Sequence, residues 1–178
     1  MQHKLLATGL IATLLVAAPA AAAAAFVFGA AGIADNALLA QDAGCTRDGG
    51  ANHAPGFTWN GAPVGTLSFA IIGTDPDGGK GKGAVHVLLY NVPGNVTSIS
   101  SAQIATHAYT EGPLGDAAGY RGPCPPAGDA PHHYIITIYA LDVASSLPAG
   151  LDRDGLLKAI DGHSLEATTT ILRYQSKP

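Results

Sequence analysis

Hydrophobic and polar positions alternate with a period of two, or run unbroken and apolar, along several stretches of this chain, each bounded by glycine, proline or aspartate. Thr66 to Thr74 predicts a strand that stops at Asp75-Pro76-Asp77, because Pro76 has no N–H to give to a ladder. Ala84 to Val92 predicts the next one. Alternation there places His86 on the face of Ala84, Leu88 and Tyr90, opposite Val85, Val87 and Leu89. His133 to Leu141 predicts a third strand, with Tyr134, Ile136 and Ile138 on one face and His133, Ile135, Thr137 and Tyr139 on the other. Phe57 to Trp59 reads as a short strand closed by the turn Asn60–Pro63, and Leu165 to Tyr174 as a threonine-rich terminal strand.

One segment has a clear helical signature. Asp152 to Ile160 starts on an N-cap aspartate, Asp152, and has Gly162 just beyond it. The stretches between the strands are rich in turn formers. Ala37 to Pro55 is expected as a long surface loop and Gly78 to Gly83 as a flexible glycine-lysine loop. Val96 to Tyr120 is expected as loop with one short turn or strand. Many short strands, long Gly/Pro loops and a helix near the C-terminus predict an all-β sandwich with a peripheral helix.

Composition narrows the picture. The 178 residues include 23 Gly and 12 Pro, and only 12% are charged, which suits a loop-rich β protein. Residues 1–24 have the order of an export signal: Lys4 in a short positive start, an apolar run from Leu5 to Val16, then small residues around Pro19. The uncharged stretch Leu5 to Ile33 is also long enough for an uncleaved N-terminal membrane anchor, the competing expectation. Without residues 1–24, eight basic residues face 13 acidic ones, a net charge of −5. That balance leaves no basic patch for a nucleic-acid backbone. Two cysteines, Cys45 and Cys124, in an exported chain predict one disulfide, the alternative being two free buried thiols.

Candidate chemistry gathers where strands end. Asp75 and Asp77 follow one strand, His86 lies in the next, and His132 and Tyr134 open a third. Just before His132 runs a donor-poor segment, Gly122-Pro-Cys-Pro-Pro-Ala-Gly128, whose prolines fix φ and hold a loop without a backbone ladder. Adjacent strands would bring these ends together at one edge of a sandwich. Histidines there donate to an oxyanion, and a nearby aspartate fixes the imidazole tautomer. A carboxylate also accepts the proton of a monoprotonated phosphate. Each residue has a plainer alternative: His86 as a hydrogen-bonded core histidine, Asp75-Pro76-Asp77 as a capped turn, Tyr134 as core.

Asp75-Pro-Asp77, His86 followed by Val-Leu-Leu-Tyr-Asn-Val-Pro93, and Gly122–Gly128 with His132-His-Tyr134 together resemble the phosphatidylethanolamine-binding protein family. The likeness is to its bacterial Raf-kinase-inhibitor-like branch. Gly44-Cys45, Gly49-Gly50-Ala-Asn52 and Phe57–Ala70 are similar to that branch's N-terminal pattern. The resemblance implies a two-sheet antiparallel, Greek-key-like sandwich over residues 44–178, preceded by an unassigned segment 25–43. It also implies a pocket for a small anion or phospholipid headgroup formed by Asp75, Asp77, His86, Pro125, Pro126, His132 and Tyr134. A binding protein without cofactor, metal or catalytic residue is implied, compatible with peripheral membrane contact and with a protein target. The family's aromatic before the histidine strand is replaced here by Gly83-Ala84-Val85, which implies a smaller wall on that side.

Two rivals come from other classes. A metal-dependent hydrolase would use Asp75, Asp77, His86 and His132 as ligands. A secreted interaction or inhibitor protein would act through its surface. Asn95-Val-Thr97 fits a glycosylation sequon, and Asp152-Arg-Asp-Gly155 lacks the full calcium-loop pattern. No nucleophile elbow, P-loop or dinucleotide fingerprint is present in the sequence.

Overall fold

Apolar runs too short for long helices and punctuated by glycine and proline pair as strands, and the strands form two sheets. The computed structural model describes residues 24–115 and 117–177. The export signal expected over residues 1–24 falls, except for Ala24, outside the described residues. The smaller sheet contains β1 (Val27–Ala30), β3 (Phe57–Asn60) and β6 (Ser98–Ile99) in the order β1-β3-β6. The larger adds β2 (Ala37–Leu38), β4 (Ser68–Asp75), β5 (Ala84–Pro93), β7 (Thr110–Glu111), β8 (His132–Leu141) and β9 (Ser164–Tyr174). Its order is β2-β9-β8-β4-β5-β7. Ladders are antiparallel except β2 with β9, which is parallel.

Alternation along these strands builds two cores. Phe57, Trp59, Phe69, Ile71, Val87, Leu89, Tyr134, Ile136, Ile138 and Leu172 fill the space between the sheets. Ala70, Ile72, Leu88, Tyr90 and Leu141 face the other way, under Leu156 of helix α2 (Arg153–Ala159) and Ile160 just past its end. As expected, Asp152 caps α2, its side chain accepting the Gly155 N–H at 2.8 Å.

Three loop expectations need revising. Residues 37–55 contribute the short strand β2 and two single 3-10 turns, Gln41–Ala43 and Thr46–Asp48. Residues 96–120 contain β6, β7 and a second helix, α1 (Ser101–Ala105), capped by a reciprocal pair between Ser100 and Gln103. That S-x-x-Q spacing was a readable start signal. The glycine-lysine loop closes as a left-handed turn, with positive φ at Gly79, Lys80 and Gly81, a conformation glycine adopts without steric cost.

Candidate functional site

The position of His86 depends on an irregularity that simple alternation misses. Gly73 of β4 pairs with Val87 and Thr74 with Val85, so His86 is the extra residue of a β-bulge. The bulge resets the faces. Val85 packs in the outer core, Val87 lies in the core between the sheets, and His86 joins Val87 rather than Leu88 and Tyr90. Gly73 makes room, since a Cβ there would crowd the Val87 side chain. The imidazole then stands edge-on to the Tyr134 ring, centroids 5.1 Å apart at 86°.

Segment 119–121 runs beside β5 and pins the histidine from both sides. Arg121 N–H donates to the His86 carbonyl at 2.8 Å, and the His86 Nδ1–H donates to the Arg121 carbonyl at 2.8 Å. That second bond assigns the Nδ1–H tautomer, because a carbonyl only accepts. The Nε2 atom is left facing Asp75, 4.0 Å from Oδ2. Burial lowers the His86 pKa below its usual value, partly opposed by the bond to Arg121 and the charge of Asp75.

Asp75 is the hub. The residue is 2% exposed, and its Oδ1 accepts the N–H groups of Asp77 and Gly78, both at 2.9 Å, which closes the turn after β4. Oδ2 accepts Nδ1 of His132 at 2.8 Å. One buried carboxylate therefore stands between two buried histidines. Nε2 of His132 lies 3.7 Å from the Asp129 carboxylate.

Above this trio opens a cleft of about 390 Å³. The prolines of the donor-poor loop, Pro125 and Pro126, form one wall beside Cys124. Gly78, Gly79 and Ala84 form the opposite one, where small residues leave the cleft wide, as the replaced aromatic implied. The rim carries Arg47, Lys80 and Arg121, together with Asp129. Sequence reasoning assigned none of these four to the site. Arg121 stood inside the motif Gly-Tyr-Arg-Gly-Pro-Cys, and Arg47 two residues after Cys45 was a signal only once the cysteine pairing was known.

That pairing is present. Cys45 and Cys124 are bonded, with Cα atoms 5.4 Å apart across a separation of 79 residues. The two loops are further joined by Cys45 N–H to the Pro123 carbonyl at 2.8 Å and by Arg47 Nη2 to the Cys124 carbonyl at 3.1 Å. Gly122 N–H also donates to Asn52 Oδ1 at 2.6 Å.

Two of the seven anticipated residues sit apart. Asp77 lines the cleft but turns Oδ2 to His133, accepting its N–H at 2.9 Å and contacting its ring Nδ1 at 3.0 Å. Tyr134 lies beneath His86, outside the cleft, in a narrow apolar space shared with Tyr120, Ile136 and Leu172. Its hydroxyl is buried beside the Asp75 carboxylate without a well-aligned hydrogen bond, and burial, together with the charge and proximity of Asp75, raises its pKa. As for the metal-ligand alternative, the set of His, Cys, Asp or Glu ligand atoms gathered within 4.8 Å among the described residues is Cys45, Asp48 and Cys124. Both of those sulfurs are in the disulfide.

A two-sheet β-sandwich with a histidine–carboxylate cleft at one end of its larger sheet defines the class. Residues 30–175 match the profile of the phosphatidylethanolamine-binding proteins, and the chain belongs to that family. It is 36% identical to YbcL of Escherichia coli K12 over 126 residues, 66% of each chain. It is likewise 36% identical over 132 residues to the Mycobacterium tuberculosis protein described as "Putative lipoprotein LppC". The latter match covers 74% of this chain and 63% of the relative, so the chain spans just under two thirds of both relatives. The crystal structure of YbcL, described as a new member of the mammalian PEBP family, superposes with a TM-score of 0.76 at 28% identity. It covers 85% of this chain and 99% of YbcL. The Chlamydia trachomatis homologue CT736 gives a TM-score of 0.73 at 26% identity, covering 85% and 97% of the two chains.

Proposed function

We propose that this chain is an exported binding protein for a small phosphate-type anion, free or carried as a phospholipid headgroup, and not an enzyme. The observation that carries this reading is the sharing of the buried Asp75 carboxylate by His86 and His132, at the floor of a cleft rimmed by Arg47, Lys80 and Arg121. The rim cations attract an anion. The floor sorts by protonation: neutral His86 offers a lone pair at Nε2, and protonated His86 offers a donor. A monoprotonated phosphate can give its proton to Nε2 or to Asp75 while its other oxygens accept from the rim. The apolar proline wall excludes water on one side and strengthens each of these bonds. Export is supported by the order of residues 1–24, by the disulfide and by the likeness to a protein described as a lipoprotein.

Calorimetry with inorganic phosphate and phosphoethanolamine tests the reading. His86→Ala and His132→Ala are expected to weaken binding by about 10- to 100-fold each, the worth of one charge-assisted hydrogen bond, with the fold retained by circular dichroism. Unchanged affinity in both variants would reject the site. A transition metal bound stoichiometrically to protein purified without chelators would favour the hydrolase instead.

A further inference from the structure

The end of the sandwich opposite the cleft exposes apolar side chains on segments poor in basic residues. Among the described residues five large hydrophobic side chains are exposed, and four of them gather there: Val27, Val64, Leu67 and Leu165. Val64 is fully exposed at 102%, and the others are about half exposed. Strand direction places them together. Chain segment 61–67 connects Asn60 of β3 to Ser68, the first residue of β4, and a Cβ at Gly65 would lie 3.8 Å from Leu165 Cδ1. Val27 pairs with Asn60 at the same end. Asp75, the cleft hub, is the last residue of β4, about 23 Å away at ~3.3 Å per residue.

Charge follows the same division. Residues 24–30, 58–70, 91–100, 139–149 and 161–168, which contribute to the apolar end, contain no lysine or arginine. They do contain Asp142, Asp161 and Glu166, and Asp142 is paired with His163 at 2.8 Å. Arg47, Lys80 and Arg121 are at the cleft. The chain also enters the fold at the apolar end: the Ala25 carbonyl lies where a Cβ on Gly61 would stand. The segment that precedes it, Leu5 to Ala24, is uncharged and about as long as a bilayer-spanning helix.

We propose that this end is a lipid-resting face. With the N-terminal segment held in a bilayer, Val64, Leu67, Leu165 and Val27 lie against the membrane surface and the cleft opens away from it. The acidic residues among them select a neutral surface over an anionic one. Clustered exposed apolar side chains of this kind bury area at a membrane boundary without needing positive charge. In consequence the cleft meets ligands from the aqueous phase and not the headgroups of the membrane that holds the chain.

The test uses the full chain in phosphatidylcholine vesicles with brominated acyl chains, read by tryptophan fluorescence over the constant signal of buried Trp59. A Val64→Trp probe is expected to shift to the blue and lose intensity to the bromines, while an Ala127→Trp probe beside the cleft stays unquenched. Val64→Asp with Leu67→Asp is expected to abolish the quenching of a Leu165→Trp probe. Quenching of Ala127→Trp in place of Val64→Trp would overturn the proposal, because the cleft would then face the lipid. So would a Val64→Trp signal unaffected by bromine, or a full chain that does not enter the vesicles. Phosphate binding by the tethered protein reads the cleft separately, so failure of orientation and failure of the anion site are distinguishable.

Discussion

Asp75 accepts the Nδ1–H of His132 at 2.8 Å, and both side chains are buried. The same carboxylate closes the turn after β4 through two backbone N–H groups. Fold and cleft are therefore joined at one side chain. Removing its charge affects both.

Asp75→Asn keeps an acceptor for the turn but presents an amide to His132. We expect a loss of about 1–3 kcal/mol of stability, the usual cost of leaving one buried polar partner unsatisfied. Asp75→Ala should cost more, because the turn N–H groups then lose their acceptor too. Urea denaturation of the two variants measures the order, and equal midpoints to the wild type would contradict the hub role.

His86 links stability to pH. Its folded pKa is lowered by burial, so between that value and about 6.5 the unfolded chain binds a proton that the folded chain does not. Stability from this residue is thus greatest above about pH 6.5 and falls as pH drops below it, by at most about 1.4 kcal/mol per pH unit. The difference in melting temperature between wild type and His86→Gln, followed from pH 7.5 to 5, isolates the effect. An anion that needs protonated His86 should bind more tightly over the same descent, and calorimetry in two buffers of different ionisation enthalpy would show the proton uptake.

Tyr134→Phe separates packing from binding. The hydroxyl is buried, the residue being only 3% exposed, and it lies by the Asp75 carboxylate without a well-aligned hydrogen bond, so deleting it is expected to change the stability of the ligand-free protein by no more than about 1 kcal/mol. If anion affinity is unchanged, Tyr134 serves only as the floor under the His86 ring. A drop in affinity with stability little changed would place the hydroxyl in the binding event.

Removing the disulfide tests the proline wall. Replacing Cys45 and Cys124 by serine opens a loop of 79 residues, worth roughly 4–5 kcal/mol in a chain-entropy treatment. Cys124, Pro125 and Pro126 line the cleft, so phosphate affinity should fall as well. Chemical denaturation and calorimetry on the same samples give both numbers, and an unchanged affinity would mean that the wall holds by its hydrogen bonds to residues 45–52 alone.

Much of this protein could be read from local pattern. The strands around Thr66–Thr74, Ala84–Val92, His133–Leu141 and Leu165–Tyr174 all form, because each carries an apolar face bounded by residues that break a ladder. The division of β8 into a face of Tyr134, Ile136 and Ile138 and a face of Ile135 and Tyr139 is as alternation predicts, since no bulge interrupts that stretch. The pairing of the cysteines and the family were legible from residue types and motif order.

What the sequence could not supply is everything that depends on a shift of one residue or a contact between distant loops. His86 faces the site only because a bulge opposite Gly73 reverses the alternation, and a bulge is a property of two paired strands. Arg47 reaches the cleft because the disulfide brings its loop beside the prolines. Asp77 shares the motif of Asp75 but is turned to His133, since Asp75 alone is placed between the two buried histidines. Local pattern determined which elements exist and which residue types they carry, because propensity and periodicity act along the chain. Register and loop closure act across it, and they alone decided which side chains meet in the cleft.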